Sequence, residues 1–349
     1  MAPRLSVVVP IYNVERYLQE CLDSIAAQTF RDFECVMVDD GSTDSSAAIA
    51  EAFAAEDARF RLVRQQNKGL GAARNTGWRN LTEGTEFLAF VDSDDSLPPG
   101  AYQLMISTLE QTGSDFVAGN VLRFRSTGSY QSNAHVKPFR QTRLKTHVTE
   151  LPALVTDRTA WNKVYRRGFF DAAGIRYPEG ILYEDAPVSV PHHYLAVSVD
   201  VLADHIYHWR ERELDDPSIT QGRTNPRGLA DRVRSMELVR EWLLARPEPK
   251  FREYLRSYDQ NCLVEEIPMF FWWVPDGDRA YRAVYQEHVS RLLRLIGTDR
   301  LRALRAPLRV KYQLTLANRM EEFVALQRVH RAYRRRVTRL KARAAAARG

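Results

Sequence analysis

Cysteine is scarce in this sequence: Cys21, Cys35 and Cys262 are the only three in 349 residues. They are too few and too scattered for a disulfide framework or a zinc cluster. Cys35 falls in an apolar run and reads as a small buried hydrophobe, so a reducing compartment is the natural setting. Long apolar runs are also missing. A bilayer-crossing helix needs about 18 such residues, and the longest stretch, IPMFFWWVP at 267–275, is half that length. The N-terminus enters the strand-like LSVVVP (5–10) with no basic segment, apolar stretch and small-residue cleavage site, which argues against a signal peptide. The expected location is the cytoplasm, with at most peripheral contact at the inner face of the cell membrane.

The net charge of +6 does not describe the main body of the chain. Residues 301–349 hold 14 Lys and Arg against 2 Asp and Glu, which leaves residues 1–300 at −6. The basic character belongs to a tail and makes no case for nucleic-acid binding by the core. With 44% hydrophobic and 27% charged residues, the composition suits a large globular domain and a smaller one.

What is present is alternation. Strand-like runs at 5–10, 33–38, 59–64 and 87–91 are separated by helical patterns at 14–28, 45–53 and 71–81. That order implies βαβ units and a mixed, mostly parallel α/β sheet with helices on both faces. Beyond the irregular stretch from 100 to 219, helical patterns return at 229–244, 281–295 and 319–340. The expected division is a catalytic domain over 1–222 and a helical C-terminal region with a basic tail over 223–349.

In open sheets of this kind, ligands bind beyond the C-terminal ends of the strands. Polar turns follow three of them: Pro10, Ile11, Tyr12 and Asn13; VDDGSTD at 38–44; and Asp92, Ser93, Asp94 and Asp95. Two carboxylates at i and i+2 in extended chain project to one side. Asp92 and Asp94 therefore form a candidate site for Mn²⁺ or Mg²⁺, which take oxygen ligands shared with phosphates. Isolated D-x-D triplets are also common in surface turns, and Asp44 or a neighbouring serine reads equally as a helix cap. The glycine-containing NKGLGAARNTG at 67–77 offers Lys68 and Arg74 at a helix start suited to anions. Arg74 equally suits an ion pair with one of the acidic turns.

SVVVPIYN, VDDGSTD, NKGLGAARNTG and FVDSDD, in this order and spacing, resemble the family 2 glycosyltransferases of the GT-A fold over about residues 4–220. The resemblance implies an inverting, metal-dependent transfer from a UDP-sugar. By that resemblance Pro10, Tyr12, Asn13 and Asp40 hold the uracil with Lys68 and Arg74 nearby, and Asp92 and Ser93 lie near the ribose. Asp94, with Asp92, would bind the metal. Tyr183, Glu184 and Asp185 match the family's Glu-Asp pair, making Asp185 the catalytic base and Glu184 its positioning partner. The Y-x-x-R…S-I-T pattern of some bacterial members offers Arg210 and Ser218 for the diphosphate. The W-N-K element offers Trp161 and Lys163 for the sugar or acceptor pocket. His208 is a candidate extra metal ligand, although His205 and His208, three apart on one strand, face opposite sides.

Processive members carry Q-x-x-R-W and flanking transmembrane helices, and this sequence has neither, so non-processive hexosyl or N-acetylhexosaminyl transfer is expected. The front portion also resembles teichoic-acid glycosyltransferases. It further resembles actinobacterial proteins in which a family 2 domain precedes a CDP-glycerol glycerophosphotransferase domain. Expected acceptors are a glycan, a polyol phosphate or a lipid-linked species, and the Ala-rich end at 344–349 reads as a linker to a second enzymatic domain. FFWW at 270–273 reads as core or as a membrane-facing patch, and the Arg-rich tail as a solvated face or an anionic-lipid contact. Two other readings remain: a non-catalytic sugar-nucleotide-binding module, and a nucleotidyltransferase making NDP-sugars. The latter lacks its usual Gly-rich loop with lysine after the first strand.

Overall fold

A computed structural model describes residues 2–213 and 215–346. The chain forms two compact units, Met1–Ser218 and Ile219–Gly349.

The first unit runs β1 (Leu5–Ile11), α1 (Leu18–Ala26), β2 (Phe33–Asp39), α2 (Ser46–Glu56), β3 (Phe60–Arg64), α3 (Leu70–Arg79) and β4 (Phe87–Phe90). It continues through α4 (Ala101–Thr112), β5 (Phe116–Arg125), β6 (Gly128–Gln131), β7 (Arg143–Thr146), β8 (Lys163–Arg166), α5 (Arg167–Ala173), α6 (Ala186–Leu195) and β9 (Val199–Arg210). The strands form one sheet in the order β3-β2-β1-β4-β8-β5-β9-β7, with β6 on β5. Its first half, β3 to β4, is parallel. The direction reverses at β8, which pairs antiparallel to both β4 and β5, while β5 and β9 are parallel to each other.

All seven residues of β1 and of β2 are buried, as near-continuous apolar strands covered on both faces should be. Alternate residues serve opposite layers. Val7, Val9, Cys35 and Met37 join a core with Leu18, Leu22 and Ile25 of α1 and Met105 and Ile106 of α4. Val36 and Val38 instead pack on Ala73 of α3. A side chain at Gly77 would collide with Val8, so only glycine lets α3 lie this close to β1. This layering brings the ends of β1, β2 and β4 and the start of α3 to one edge.

The second unit holds α7 (Pro226–Leu244), α8 (Pro249–Asn261), α9 (Ile267–Phe271), α10 (Arg279–Ile296), α11 (Ala306–Leu316) and α12 (Met320–Ala346). A five-residue π turn, Cys262–Glu266, joins α8 to α9. Within the FFWW run Phe271 is buried and packs on Tyr312 and Phe323, while its three neighbours are half-buried. No helix among the described residues is long and apolar enough to cross a membrane. The last three residues of the expected Ala-rich linker, 347–349, lie outside the described residues.

Candidate active site

The turn after β1 bends through Asn13, whose φ of 49° is left-handed and suits asparagine. Its side-chain oxygen accepts from the Thr43 amide at 2.8 Å, which ties this turn to the acidic turn after β2. Tyr12 beside it is exposed and Pro10 is buried at the strand end. Asp40 is buried, and its carboxylate accepts from Gln65 Nε2 (2.6 Å) and from the amides of Lys68 (2.9 Å) and Gly69 (2.8 Å). It thus orders the loop that leads into α3, and the Lys68 side chain is left exposed.

At the end of β4, the three acids separate. Asp92 accepts from Arg74 Nη2 at 2.6 Å. Asp94 accepts from Arg212 Nε at 2.7 Å, and its carbonyl accepts from Arg210 Nε at 2.7 Å. Asp95 is buried and accepts from the Tyr207 hydroxyl (2.8 Å) and the Arg210 amide (2.7 Å). Burial, with Asp94 and Asp92 nearby, pushes the Asp95 carboxyl well above the usual range. The end of β9 is therefore fastened onto the D-S-D-D turn through Asp95, leaving Ser93 buried within it. Arg210 also pairs with Glu20 at 2.6 Å and lies over the Phe124 ring at 4.4 Å.

Helix α3 links these acids to the Glu-Asp pair. Arg74 is 1% exposed and bonds both Asp92 and Glu184. Burial disfavours its charge, yet Asp92 and Glu184 together hold its pKa above the ordinary value. Burial raises the Glu184 carboxyl, and Arg74 opposes that shift. The next residue of α3 clamps the same loop: Asn75 exchanges two bonds with the Tyr177 backbone, at 2.8 and 3.0 Å. A side chain at Gly71 would collide with the Pro178 carbonyl and press on Glu184 Cγ. Tyr183 takes a left-handed φ of 61°, turning the chain so that Glu184 is buried and Asp185 caps α6 through the Ala186 amide at 2.9 Å. The NKGLGAARNTG segment thus docks the 177–185 loop through Gly71, Arg74 and Asn75.

Other expected residues lie elsewhere. Trp161 is 5% exposed and stacked on Tyr207 at 4.2 Å. Lys163 is 1% exposed, with its ammonium 2.7 Å from Asp157, so neither presents a pocket surface. Ser218 is half-exposed at the last position of this unit. His208 is half-buried against Phe124, its backbone bridged to Ser96, and His205 bonds Gln131. Among the described residues no three His, Cys, Asp or Glu side chains gather as a metal set, so His208 does not join Asp92 and Asp94 in one. Two carboxylates completed by phosphate oxygens is nonetheless the arrangement that suits Mg²⁺ or Mn²⁺. Arg212 escaped sequence reading, and Tyr207, Asp95 and Asn75, though inside quoted motifs, were given no role there. The only trace of Arg212 is its place two residues after Arg210, and the tertiary fold alone sets it on Asp94.

Comparison with known proteins shows the family and the fold. Residues 6–174 match the family described as "Glycosyl transferase family 2". The chain is 33% identical over 281 residues to the putative glycosyltransferase EpsH of Bacillus subtilis, covering 79% of each protein. It is 37% identical over 102 residues to the minor teichoic acid biosynthesis protein GgaA of the same organism, covering 28% of this chain and 23% of GgaA. Among solved structures, S. aureus TarS 1-349 in complex with UDP-GlcNAc superposes with a TM-score of 0.77 at 21% identity, covering 94% of this chain and 92% of that one. The shared GT-A-like fold includes the helical C-terminal region.

Proposed function

Since the chain belongs to glycosyl transferase family 2 and is a glycosyltransferase, we propose an inverting, metal-dependent, non-processive enzyme moving a hexosyl or N-acetylhexosaminyl group from a UDP-sugar to an acceptor hydroxyl. The acceptor belongs to a cell-envelope polymer, either teichoic-acid-like or polysaccharide. The observation that carries this reading is the chain Asp92–Arg74–Glu184, in which one buried arginine ties the first acid of the D-x-D turn to the glutamate of the Glu-Asp pair.

In this mechanism Asp185 takes the acceptor hydroxyl proton while the acceptor oxygen bonds to the anomeric carbon from the face opposite the diphosphate. The bond from that carbon to the diphosphate oxygen breaks, and its electron pair leaves with UDP. A Mn²⁺ or Mg²⁺ ion held by Asp94 and Asp92 would supply charge neutralisation on the diphosphate. Arg210 and Arg212, both bonded to Asp94, would add donors to the diphosphate, with Ser218 a further candidate from the S-I-T pattern, and charge-assisted bonds to phosphate are the strong ones. Tyr12, Asn13 and the loop that Asp40 orders, with the exposed Lys68 on it, offer the uridine side. The UDP-GlcNAc bound to TarS and the teichoic-acid role in the description of GgaA favour this donor and acceptor class. The chemistry belongs on the cytoplasmic side of the membrane, with peripheral contact through the basic tail.

A titration of UDP, GDP and CDP sugars with and without Mn²⁺ tests the reading. Metal-sensitive binding confined to uridine nucleotides is expected. Equal binding of all three, or none, defeats it.

A further inference from the structure

Helix α6 begins at the Asp185 cap and is buried from Ala186 through Tyr194. Pro191 inside it has no N–H, so the bond to the Pro187 carbonyl is missing and the helix depends on outside contacts for its setting. Positions 185, 189 and 193 step by four and share one face. Ser189 Oγ donates to the Thr159 carbonyl at 3.1 Å, and His193 Nε2 lies 3.6 Å from Asp157 Oδ2. Both partners belong to one turn, residues 157–163.

That turn is closed by its own polar groups. Lys163 Nζ reaches Asp157 Oδ2 (2.7 Å) and donates to the Thr159 carbonyl (2.7 Å) and to Asn162 Oδ1 (2.8 Å). Asn162 Nδ2 donates to Asp157 Oδ1 (3.0 Å) and to the Gly119 carbonyl of β5 (3.1 Å). Asp157 and Lys163 have no exposed side-chain surface. Burial lowers the Lys163 pKa, while Asp157 and, more distantly, Asp185 favour its charge. A buried ion pair is weak evidence for stability, because desolvation offsets its attraction, and its best use is to specify geometry. Here the geometry concerns one atom: the Thr159 carbonyl accepts from both the ammonium and Ser189, so the ion pair fixes the oxygen that fixes the helix.

We propose that the Asp157–Lys163 turn is a positioning network for the general base, setting the rotation of α6 and hence the aim of Asp185 through Ser189 and His193. The proposal rests on Asp185 being that base. A mobile water adapts to a misdirected carboxylate, whereas a bound acceptor hydroxyl does not. Loosening α6 therefore lowers transfer more than donor hydrolysis.

The test uses the full chain with UDP-GlcNAc, UDP-GalNAc, UDP-glucose and UDP-galactose as donors and synthetic ribitol-phosphate and glycerol-phosphate oligomers as acceptors. Ser189→Ala is expected to cut the transfer-to-hydrolysis ratio about tenfold, with donor Kd within about twofold of wild type and Ser189→Thr restoring the ratio. Lys163→Met, where it folds, is expected to do the same. Equal loss of transfer and hydrolysis in Ser189→Ala, or no change in either, overturns the positioning role. Asp185→Asn separates the two ideas. If it abolishes transfer while Ser189→Ala leaves the ratio intact, positioning alone fails. If Asp185→Asn keeps transfer, or the wild type transfers from no donor to no acceptor, the functional reading falls and takes the proposal with it.

Discussion

Arg74 carries two obligations, to Asp92 and to Glu184, and both carboxylates lose their partner if it goes. Removing one member of a buried pair typically costs about 3–5 kcal/mol, because the remaining charge stays buried. Arg74→Met should therefore destabilise the first unit by an amount in that range, measured by urea unfolding. Arg74→Lys should recover little, since one ammonium cannot span two acids held by separate guanidinium nitrogens. Asp185 makes the opposite case: half-buried, with its carboxylate accepting from the Ala186 amide, a bond asparagine can also make, it is cheap to change structurally. Asp185→Asn should leave the melting temperature and donor Kd near wild type while transfer falls about 10²–10⁴-fold. Both residues stood out in the sequence, but their division of labour did not. An arginine beside glycines at a helix start reads as an anion site, and only its burial against two acids turns it into a brace.

At the scale of elements, α3 and the 177–185 loop act as one piece. Gly71→Ala forces the loop off the helix, because the added methyl group collides with the Pro178 carbonyl. Its expected mark is a loss of transfer larger than the fall in stability would account for, read by comparing kcat with the folded fraction. Two buried histidines bring a pH dependence of their own: His192 on α6, and His135, which precedes β7 and packs on Trp161 of the 157–163 turn. Burial lowers His135 from 6.5 to about 4 and His192 to about 3, so both are neutral in the folded state at pH 7. Their folded pKa values lie below the unfolded one, so the stability they permit is present above pH 6.5 and lost as pH falls toward 4. His135 alone should cost about 2 kcal/mol by pH 5. A His135→Phe variant should show a flatter melting profile between pH 7 and 5 than the wild type.

At the scale of the whole molecule, charge is distributed unevenly. Half of the tail's excess of +12 falls on α12, which carries 8 Lys and Arg against 2 Glu; there Arg328, Arg334, Arg335, Arg336 and Arg339 are exposed, beside exposed Val329 and Tyr333. Deleting residues 301–349 would also remove buried Leu301, Tyr312 and Phe323, and so would disturb the second unit's core. Replacing the five arginines by glutamine isolates the charge. Near an anionic surface each is worth about 1 kcal/mol. The quintuple variant should therefore lose more than tenfold in affinity for phosphatidylglycerol vesicles at low salt, measured by cosedimentation, and the wild type should lose as much at high salt. Unchanged binding would remove the tail from any membrane role.

Periodicity and turn residues are local, and so the sequence by itself determined the parallel half of the sheet, the acidic turns at its strand ends, the helical C-terminal third and the family. Buried strands must be apolar, and strand-end loops must be polar, whatever lies across from them. The antiparallel insertion of β8, the clasp of Arg212 on Asp94, the burial of Lys163 and Trp161, and the Asp92–Arg74–Glu184 chain were decided only by the tertiary structure. Arg74 and Glu184 are 110 residues apart. Whether an arginine is a solvated cation, a phosphate ligand or a buried brace depends on which acids the fold brings to it.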